Sequence, residues 1–402
     1  MHTFRSLSLA LVGMILILAC TGCSTLKELA PTSKDTSHIT EWVAIPIFYR
    51  TNRAKKPDSG PFSFVEELSP DGRVFGVKNI VVPMPWHDPI SKEMMDKLGW
   101  QAIHLEHGMG SNEVPAIPGK TALADRELSD KEIVPTFNEY RQKSGTQNAL
   151  IFAHGCCANF DTSIERAAKV AAVTQEPVVL YDWVSPVGFV HYLKNETLVQ
   201  QELDDFNKFL INLGKVIPAS STTLMGHSMG AMFLDNGLVR RCERGCQGSE
   251  SEQYREVIFS NPDTDARSYL NHQELVKKNA KIVRVFFSPT DGRLKNSSTA
   301  HGGYPRLGRP ETLLPDLCKL DGQDFIDVTS FGFGHEVPFT IVGDIHRTGK
   351  VSPDCGYTLS QDGAHLYTLH KAVASARERR LPAGNDLAFN QFHAHHEQCR
   401  CP

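Results

Sequence analysis

The sequence lacks an excess of charge of either sign and, beyond its first two dozen residues, has no long apolar run. Its 402 residues carry 42 lysines and arginines against 46 aspartates and glutamates, a formal net charge of -4. This balance gives no electrostatic reason to expect a nucleic-acid partner. No segment after residue 23 reaches the run of about 18 apolar residues that indicates a membrane-spanning helix. The composition, 41% hydrophobic, is that of a globular protein with a substantial core.

The first 23 residues differ from the rest and predict an export signal. Arg5 supplies a positive charge, and residues 7–19 are almost wholly apolar. That run is short for a membrane span and fits a signal peptide. It ends in "LILACTGCST", which resembles the bacterial lipoprotein signal and makes Cys20 and Cys23 the two lipidation candidates. The choice between them stays open, and an ordinary cleaved secretion signal is the alternative.

The expected domain organisation follows from these segments. Residues 1–23 are the signal, 24–40 a polar and flexible spacer, 41–375 the folded domain and 376–402 a polar tail. An N-terminal lipid would tether the domain, so we expect an exported protein anchored in a membrane of the bacterial cell envelope and facing the periplasm. The tail clusters histidines and cysteines at a spacing that matches no zinc pattern, so no metal site is expected there.

Export also affects the interpretation of the eight cysteines beyond the signal, because disulfides persist outside the cytosol. Connectivity does not follow from sequence. Cys242 with Cys246, and Cys318 with Cys355, are reasonable loop closures. The eight residues are Cys156, Cys157, Cys242, Cys246, Cys318, Cys355, Cys399 and Cys401.

Short apolar strands alternate with helical patterns from residue 149 onward. "ALIFAHG" at 149–155 and "PVVLYDW" at 177–183 are continuous apolar runs, typical of strands buried on both faces. Between them, Thr162 and Glu165 form a capping box that predicts a helix start. Apolar residues at helical spacing predict another helix across 199–213. Further strands are predicted at 221–225, 256–263, 281–291 and, last, 324–330, with a helix at 230–240 and two early strands at 42–53 and 74–85.

This alternation defines the fold class as α/β, because a strand–helix rhythm specifies a mostly parallel sheet with helices on both faces. No internal repeat or low-complexity tract interrupts it. The stretch 86–145 is mixed, contains several prolines and predicts no element.

Residues 226–230, Gly-His-Ser-Met-Gly, form a G-x-S-x-G motif between a predicted strand and a predicted helix. A serine at such a sharp turn has a strained backbone, and side chains at Gly226 and Gly230 would collide with neighbouring elements. The turn presents Ser228 at the carboxyl end of the sheet, where the helix dipole and amides face the reacting group. We therefore predict Ser228 as a nucleophile.

A serine nucleophile needs a base, and the base needs an orienting acid. With this motif the expected chain order is serine, acid, histidine. Asp291 follows the strand that ends near residue 287, and His335 lies in a glycine-rich loop after the last predicted strand. Ser228, Asp291 and His335 fit the order. The alternatives are Asp263 and Asp265 for the acid, and His346 and His365 for the base.

An oxyanion hole should combine the backbone amide of Met229 with one from the loop "HGCCANF". Gly155 allows a close backbone approach in that loop, so the Cys156 amide is the second candidate donor. A nucleophilic role for the Cys156 thiol is not predicted, because no separate base is placed for it. Cys156 and Cys157 are adjacent and not expected to bond each other, and buried free thiols are at least as consistent with the pair.

Several stretches together resemble a bacterial alpha/beta-hydrolase family catalogued as a domain of unknown function. They are "IFYRTNR", "FAHGCCANFDTSIERAAKVA", "YDWVS", "LMGHSMG", "SNPDTDA", "FFSPTDGRL", "GGYPRLG" and "IDVTSFGFGH". The resemblance runs from about residue 42 to 345. It implies an alpha/beta-hydrolase fold and carries the family pattern onto His154 and Gly155, onto Ser228, and onto Asp291 and His335. The sequence departs from that pattern at Cys156-Cys157, where the family more usually has a bulky residue followed by Asn.

The expected function is therefore a serine hydrolase that acts through an acyl-enzyme. His335 would deprotonate Ser228, Ser228 would attack a carbonyl, and Asp291 would orient the imidazole. Carboxylic esters are the default substrate, while amides, thioesters and acyl transfer stay open. We expect no cofactor, no metal and no particular protein partner, only a small-molecule acyl substrate. Phe189 and Tyr192 are candidate pocket residues, with ordinary packing as the alternative.

A second class of function uses the same scaffold without catalysis. A fold does not determine a function, so an envelope lipoprotein could retain the hydrolase scaffold for binding.

Overall fold

The structure is a computed structural model, and it describes residues 41–57, 59–84, 123–243, 245, 253–332, 334–351 and 357–371. The predicted signal, the spacer and the tail, with Cys20, Cys23, Cys399 and Cys401, lie outside these residues. Within the described ranges, no helix has the length and apolarity needed to cross a membrane.

Eleven of the strands form one sheet, and two more form a separate hairpin. The strands are β1 (Glu41–Thr51), β2 (Arg53–Lys55), β3 (Phe64–Leu68), β4 (Val74–Met84), β5 (Arg126–Leu128), β6 (Ala149–Ala153), β7 (Val178–Tyr181), β8 (Thr222–His227), β9 (Glu256–Ser260), β10 (Val283–Phe287), β11 (Gln323–Asp327), β12 (Tyr357–Gln361) and β13 (Leu366–Lys371). Along the sheet the order is β12-β13-β11-β10-β9-β8-β6-β7-β1-β4-β5, with β2 and β3 paired apart. All neighbouring pairs from β13 to β1 are parallel, and the three pairs at the two edges are antiparallel.

Helices cover both faces of the sheet, which confirms the predicted α/β class. The helices are α1 (Asp130–Lys143), α2 (Phe160–Thr174), α3 (Tyr192–Gly214), α4 (Gly230–Glu243), α5 (Ala266–Lys278), α6 (Gly292–Ala300), α7 (Leu314–Leu317) and α8 (Phe339–Thr348). One cluster of buried hydrophobic residues lies under α1, α3, α4 and α5, and the other lies under α2 and α8. Every residue of β6, β7, β8 and β9 is buried. The continuous apolar runs of β6 and β7 predict this for those two strands.

Two predictions of local structure were wrong. The helix after β6 begins at Phe160, because Asn159 is its N-cap and its side chain accepts a hydrogen bond from the Thr162 amide at 2.8 Å. Asparagine is as good an N-cap as threonine, and it comes first in the chain. The strand at 324–330 was also predicted as the last, whereas β12 and β13 follow it. β12 is an edge strand, so its exposed polar residues hide the strand pattern.

The parallel order brings the functional loops to one edge. The carboxyl ends of β6, β8, β10 and β11 lie side by side in the centre of the sheet. Loops that leave parallel strands in the same direction converge there, and ligands of open α/β sheets bind at that edge. The sequence stretches after residues 153, 227, 287 and 327 therefore meet in space.

Candidate active site

Ser228 occupies the turn between β8 and α4 with a backbone φ of 53°, in the left-handed region. A non-glycine residue with positive φ is strained and is found where the surroundings hold it in place. The flanking glycines make this turn possible. A Cβ at Gly230 would collide with the backbone oxygen of His154, and one at Gly226 would lie 2.7 Å from the Ala231 Cα. The side chain of Ser228 is thus raised above the carboxyl end of the sheet.

His335 reaches Ser228 from the loop that follows β11. Its Nε2 lies 2.8 Å from the Ser228 Oγ, and its Nδ1 lies 2.7 Å from the Asp291 Oδ2. An ionised carboxylate only accepts hydrogen bonds, so Nδ1 carries the proton and donates it. Nε2 is then the acceptor for the Ser228 hydroxyl. The three residues that the sequence analysis selected lie in one hydrogen-bonded chain.

Asp291 is the N-cap of α6 and is fully buried. Its Oδ1 accepts the amides of Arg293 and Leu294 at 2.9 and 3.0 Å, which leaves Oδ2 for His335. Burial opposes ionisation, yet the hydrogen bond and charge of His335, with the Leu294 amide and the Asn261 side chain, hold the pKa of Asp291 below its ordinary value. The carboxylate is therefore charged and oriented by contacts on both oxygens.

The alternative acids are not in contact with His335. The buried Asp263 accepts hydrogen bonds from Tyr192 at 2.6 Å, Ser297 at 2.6 Å and Arg306 at 2.8 Å. Asp265 is the N-cap of α5, where it accepts backbone amides. Tyr192 is buried in this network, which agrees with ordinary packing; the side chain of Phe189 lies outside what the structure describes.

The alternative histidines lie elsewhere in the molecule. His346, on α8, contacts Glu256 at 2.5 Å and Glu176 at 3.4 Å. Both glutamates stand at the amino ends of strands, opposite to Ser228. His365 faces Asp321 and Asp324, also at an amino end.

Gly155 packs directly against the nucleophile. A Cβ at this position would lie 2.8 Å from the Ser228 Cβ and 3.0 Å from the His227 Nδ1. The next amide in the chain, that of Cys156, consequently borders the serine. Met229 follows Ser228 and precedes the first residue of α4, so its amide belongs to the N-terminal end of a helix, where N–H groups lack intrahelical acceptors. The two residues predicted to donate to an oxyanion hole are therefore chain neighbours of Ser228 and of Gly155, which contacts it.

His227 is a neighbour of the site that the sequence analysis missed. Its Nε2 lies 2.8 Å from the backbone oxygen of His335, so it donates to that carbonyl. Burial, and then the charges of His335 and Arg166, hold the pKa of His227 well below its ordinary value. A neutral His227 therefore fixes the loop that carries His335. The only sequence signal is its place inside the G-x-S-x-G motif.

A buried ion pair supports the loop after β6. Arg53 donates from Nε to Asp182 Oδ2 at 2.8 Å, and its terminal nitrogen donates to the carbonyls of Ala158 and Trp183 at 2.7 and 2.8 Å. Burial alone would raise the pKa of Asp182, but the charge of Arg53 holds it well below its usual range. The pair joins β2 and the end of β7 to the loop that carries Gly155.

His154 is a structural member of the same loop. It is fully buried, stacks on Trp183 with ring centroids 5.5 Å apart, and its Nδ1 donates to the Gly155 carbonyl at 2.7 Å. The Trp183 amide donates to the other ring nitrogen at 3.2 Å. The same nitrogen lies 2.9 Å from the Asp182 Oδ1. Burial lowers the pKa of His154, against the hydrogen bond and charge of Asp182, and the fully enclosed ring acts as a fixed spacer.

In the described ranges, no cluster of three or more histidine, cysteine, aspartate or glutamate side chains could hold a metal ion. The predicted disulfides are only partly described. Cys242 is disulfide-bonded, while Cys246, its predicted partner, and Cys355 lie outside the described residues. Cys156 and Cys157 are free thiols.

A mostly parallel sheet with helices on both faces, and with a serine–histidine–aspartate chain at its carboxyl edge, is the arrangement of the alpha/beta-hydrolase class of fold. The family model described as alpha/beta hydrolase of unknown function (DUF900) matches residues 129–335, just over half of the chain. The chain belongs to this family.

Comparisons with other proteins add little. None of the curated proteins matches the chain. Among solved structures, an esterase/lipase from an uncultured bacterium is 12% identical, with a TM-score of 0.29 over 50% of this chain and 76% of that one. The structure of EstE5-PMSF is 13% identical, with a TM-score of 0.28 over the same shares. EstE5 soaked with p-nitrophenyl butyrate is 12% identical, with a TM-score of 0.29. These values carry no argument about the site.

Proposed function

We propose that the protein is a serine hydrolase that cleaves a carboxylic ester or a related acyl bond through Ser228, His335 and Asp291. The observation that carries this proposal is the hydrogen-bonded chain from Ser228 Oγ through His335 to Asp291, with distances of 2.8 and 2.7 Å. These are the contacts that a general base needs to take the serine proton.

The reaction has two halves. In the first, Ser228 attacks the carbonyl carbon while His335 takes its proton, and the amides of Met229 and Cys156 stabilise the oxyanion. His335 then returns the proton to the leaving alcohol, which leaves an acyl-serine. In the second half, water attacks the acyl-serine with His335 again as base, and the acid is released. Asp291 holds the imidazole in the required tautomer and stabilises its charged form.

Esters are proposed ahead of amides because an alcohol needs less assistance to leave than an amine. Two features of the rim bear on substrate size. Glu336 lies between Arg166 and Arg293 at 3.5 and 3.7 Å, which gives one side a charged edge. On the segment after β7, Val187 and Val190 are 52% and 65% exposed. A mixed rim of this kind suits small or soluble acyl substrates.

The cellular setting is part of the proposal. The sequence pattern at residues 7–23 supports an exported chain with an N-terminal lipid on Cys20 or Cys23. The hydrolase would then act at the surface of an envelope membrane. Labelling with radioactive palmitate, compared between Cys20→Ala and Cys23→Ala, identifies the lipidated cysteine.

The test of the activity is reaction with a fluorophosphonate probe. We expect the wild-type chain to be labelled at Ser228 and to hydrolyse members of a panel of short and long acyl esters, and Ser228→Ala to do neither. If wild type and Ser228→Ala behave alike in both assays, the protein is instead a non-catalytic envelope lipoprotein that uses the hydrolase scaffold for binding.

A further inference from the structure

Cys156 and Cys157 form a pair of thiols beside the proposed nucleophile. They lie in the loop between β6 and α2, directly after Gly155, which packs against Ser228. Their sulfur atoms are 3.2 Å apart, and neither residue is fully buried. Two thiols in contact, within reach of solvent and next to a reacting centre, have no role in the acyl-enzyme mechanism.

The surroundings make the two thiols unequal. The contact with Cys156 lowers the pKa of the Cys157 thiol below its ordinary value, against burial, with help from the Gly188 amide and the charges of Arg293 and His335. The contact with Cys157, followed by burial, raises the pKa of Cys156. Thiolates, not thiols, attack disulfides, so Cys157 is the attacking residue and Cys156 is the resolving one.

We propose that Cys156 and Cys157 are a reversible redox site, oxidised by a small-molecule disulfide to a vicinal disulfide that turns off the neighbouring hydrolase centre. The Cys157 thiolate attacks one sulfur of the oxidant, forms a mixed disulfide and releases one thiolate. Cys156 then loses its proton to solvent, attacks the Cys157 sulfur and releases the second thiolate. The pair loses two electrons and two protons, and the oxidant becomes two thiols.

Ring closure must deform the peptide between the two residues. Adjacent Cα atoms are about 3.8 Å apart, whereas disulfide-linked Cα atoms usually lie about 4.4 to 6.8 Å apart. The backbone at Cys156 and Cys157 has little freedom to accommodate this deformation. Cys157 already has a φ of 62°, in the left-handed region, and its amide donates to the Ser185 Oγ at 2.5 Å.

The deformation is transmitted to the reacting centre through the Cys156 amide. That amide borders Ser228, and it is the proposed second oxyanion donor. Loss of one such donor costs about 10²–10³-fold in rate. The strain also makes the disulfide easy to reduce, which suits a reversible switch. The effect on activity rests on the proposed function, whereas formation of the ring does not.

The test starts from the reduced full-length chain in detergent, treated with oxidised glutathione. We expect peptide mapping to find a peptide that contains both Cys156 and Cys157, two hydrogens lighter and free of glutathione. The rate of fluorophosphonate labelling at Ser228 should fall by about 10²-fold and recover after treatment with dithiothreitol.

Matched variants separate the ring from simple thiol modification. In Cys156→Ser, the glutathione should stay attached to Cys157, because the resolving thiol is gone. In Cys156→Ser/Cys157→Ser, the labelling rate should be the same before and after the oxidant. A wild-type chain that retains glutathione on Cys157, or one that forms the vicinal disulfide with an unchanged labelling rate, would overturn the proposal. If the reduced chain is never labelled, the hydrolase proposal fails, and the mapped peptide still decides whether the redox site exists.

Discussion

The substitution Asp291→Asn separates the proposed chemistry from the fold. Asp291 Oδ1 caps α6 through two amides, and asparagine retains an oxygen for that role. Its amide nitrogen would take the place of Oδ2, which lies 2.7 Å from the His335 Nδ1. An NH₂ group donates, so the imidazole would hold its proton on Nε2. His335 would then donate toward Ser228 and could not take its proton.

The expected effects on activity and on stability differ widely. An inverted tautomer in a Ser-His-Asp triad lowers turnover by about 10⁴-fold, equivalent to about 5 kcal/mol of transition-state stabilisation. The folded state exchanges one charge-assisted buried hydrogen bond for a neutral one, for a stability cost of about 1 kcal/mol, and the cap is kept. Domains of ordinary stability remain folded after such a loss. Activity should therefore collapse in a folded protein.

Asp265→Asn is the matched control, because Asp265 caps α5 with the same geometry. It accepts the amides of Arg267 and Ser268 at 2.9 and 3.0 Å, and it has no contact with His335. Labelling rates, ester hydrolysis and urea unfolding are measured on both variants and on wild type. If Asp291→Asn retains more than a tenth of the wild-type rate, Asp291 does not orient the base and the assignment is refuted.

Three further predictions concern the neighbours of this centre and the far end of the sheet. Gly155→Ala places a Cβ 2.8 Å from the Ser228 Cβ, so the labelling rate should fall by about 10²-fold or more with the chain still folded; wild-type labelling would contradict this. His227→Phe removes the donor to the His335 carbonyl and should lower turnover, while His227→Gln, which keeps an N–H donor, should restore part of it; equal rates would argue against a positioning role. His346→Gln should lower the free energy of unfolding, measured with urea, more at pH 6 than at pH 10. A difference that does not change with pH would show that protonation of His346 does not contribute to stability.

The sign of that pH dependence follows from the contacts of His346. Burial lowers the pKa of the imidazole, but hydrogen bonds and charges of Glu176 and Glu256 outweigh it and raise the pKa to about 9. A histidine whose pKa is raised in the folded state contributes stability that is complete below its unfolded value of about 6.5. That contribution is lost as the pH rises through about 9.

Most of the fold could be predicted from the sequence because the central strands are buried on both faces. β6 and β7 consist of buried residues throughout, and such segments appear as continuous apolar runs. The edge strands were missed for the opposite reason. β12 has one buried residue among five, with no alternation of buried and exposed positions, and β5 has three residues, so neither produces a clear pattern.

The residues of the candidate site also fall into two groups, those that the sequence predicts and those that it does not. Ser228, Asp291 and His335 each follow a strand whose position is readable locally, so chain order and strand ends made them the first candidates. The same order left the alternative acids and histidines open. The supporting residues have no such local signal. Arg53 and Asp182 meet across 129 residues of chain, and Asn261 reaches the Gly334 carbonyl across 73. Pairings at these separations depend on strand order in the sheet, which spacing along the sequence does not determine.

The histidines at the two ends of the sheet have different surroundings. The one at the carboxyl end is suited to the proposed reaction, and the one at the amino end contributes to stability. At the carboxyl end, His335 contacts one carboxylate and the Ser228 hydroxyl, an arrangement suited to moving a proton. At the amino end, His346 lies between Glu176 and Glu256, an arrangement suited to keeping one. A loss of activity in alkaline solution therefore has two separable origins. If the loss comes from unfolding, the urea midpoint falls together with the activity as the pH rises, and His346→Gln shifts both pH profiles. If the loss comes from the reacting centre, the activity falls while the urea midpoint stays constant.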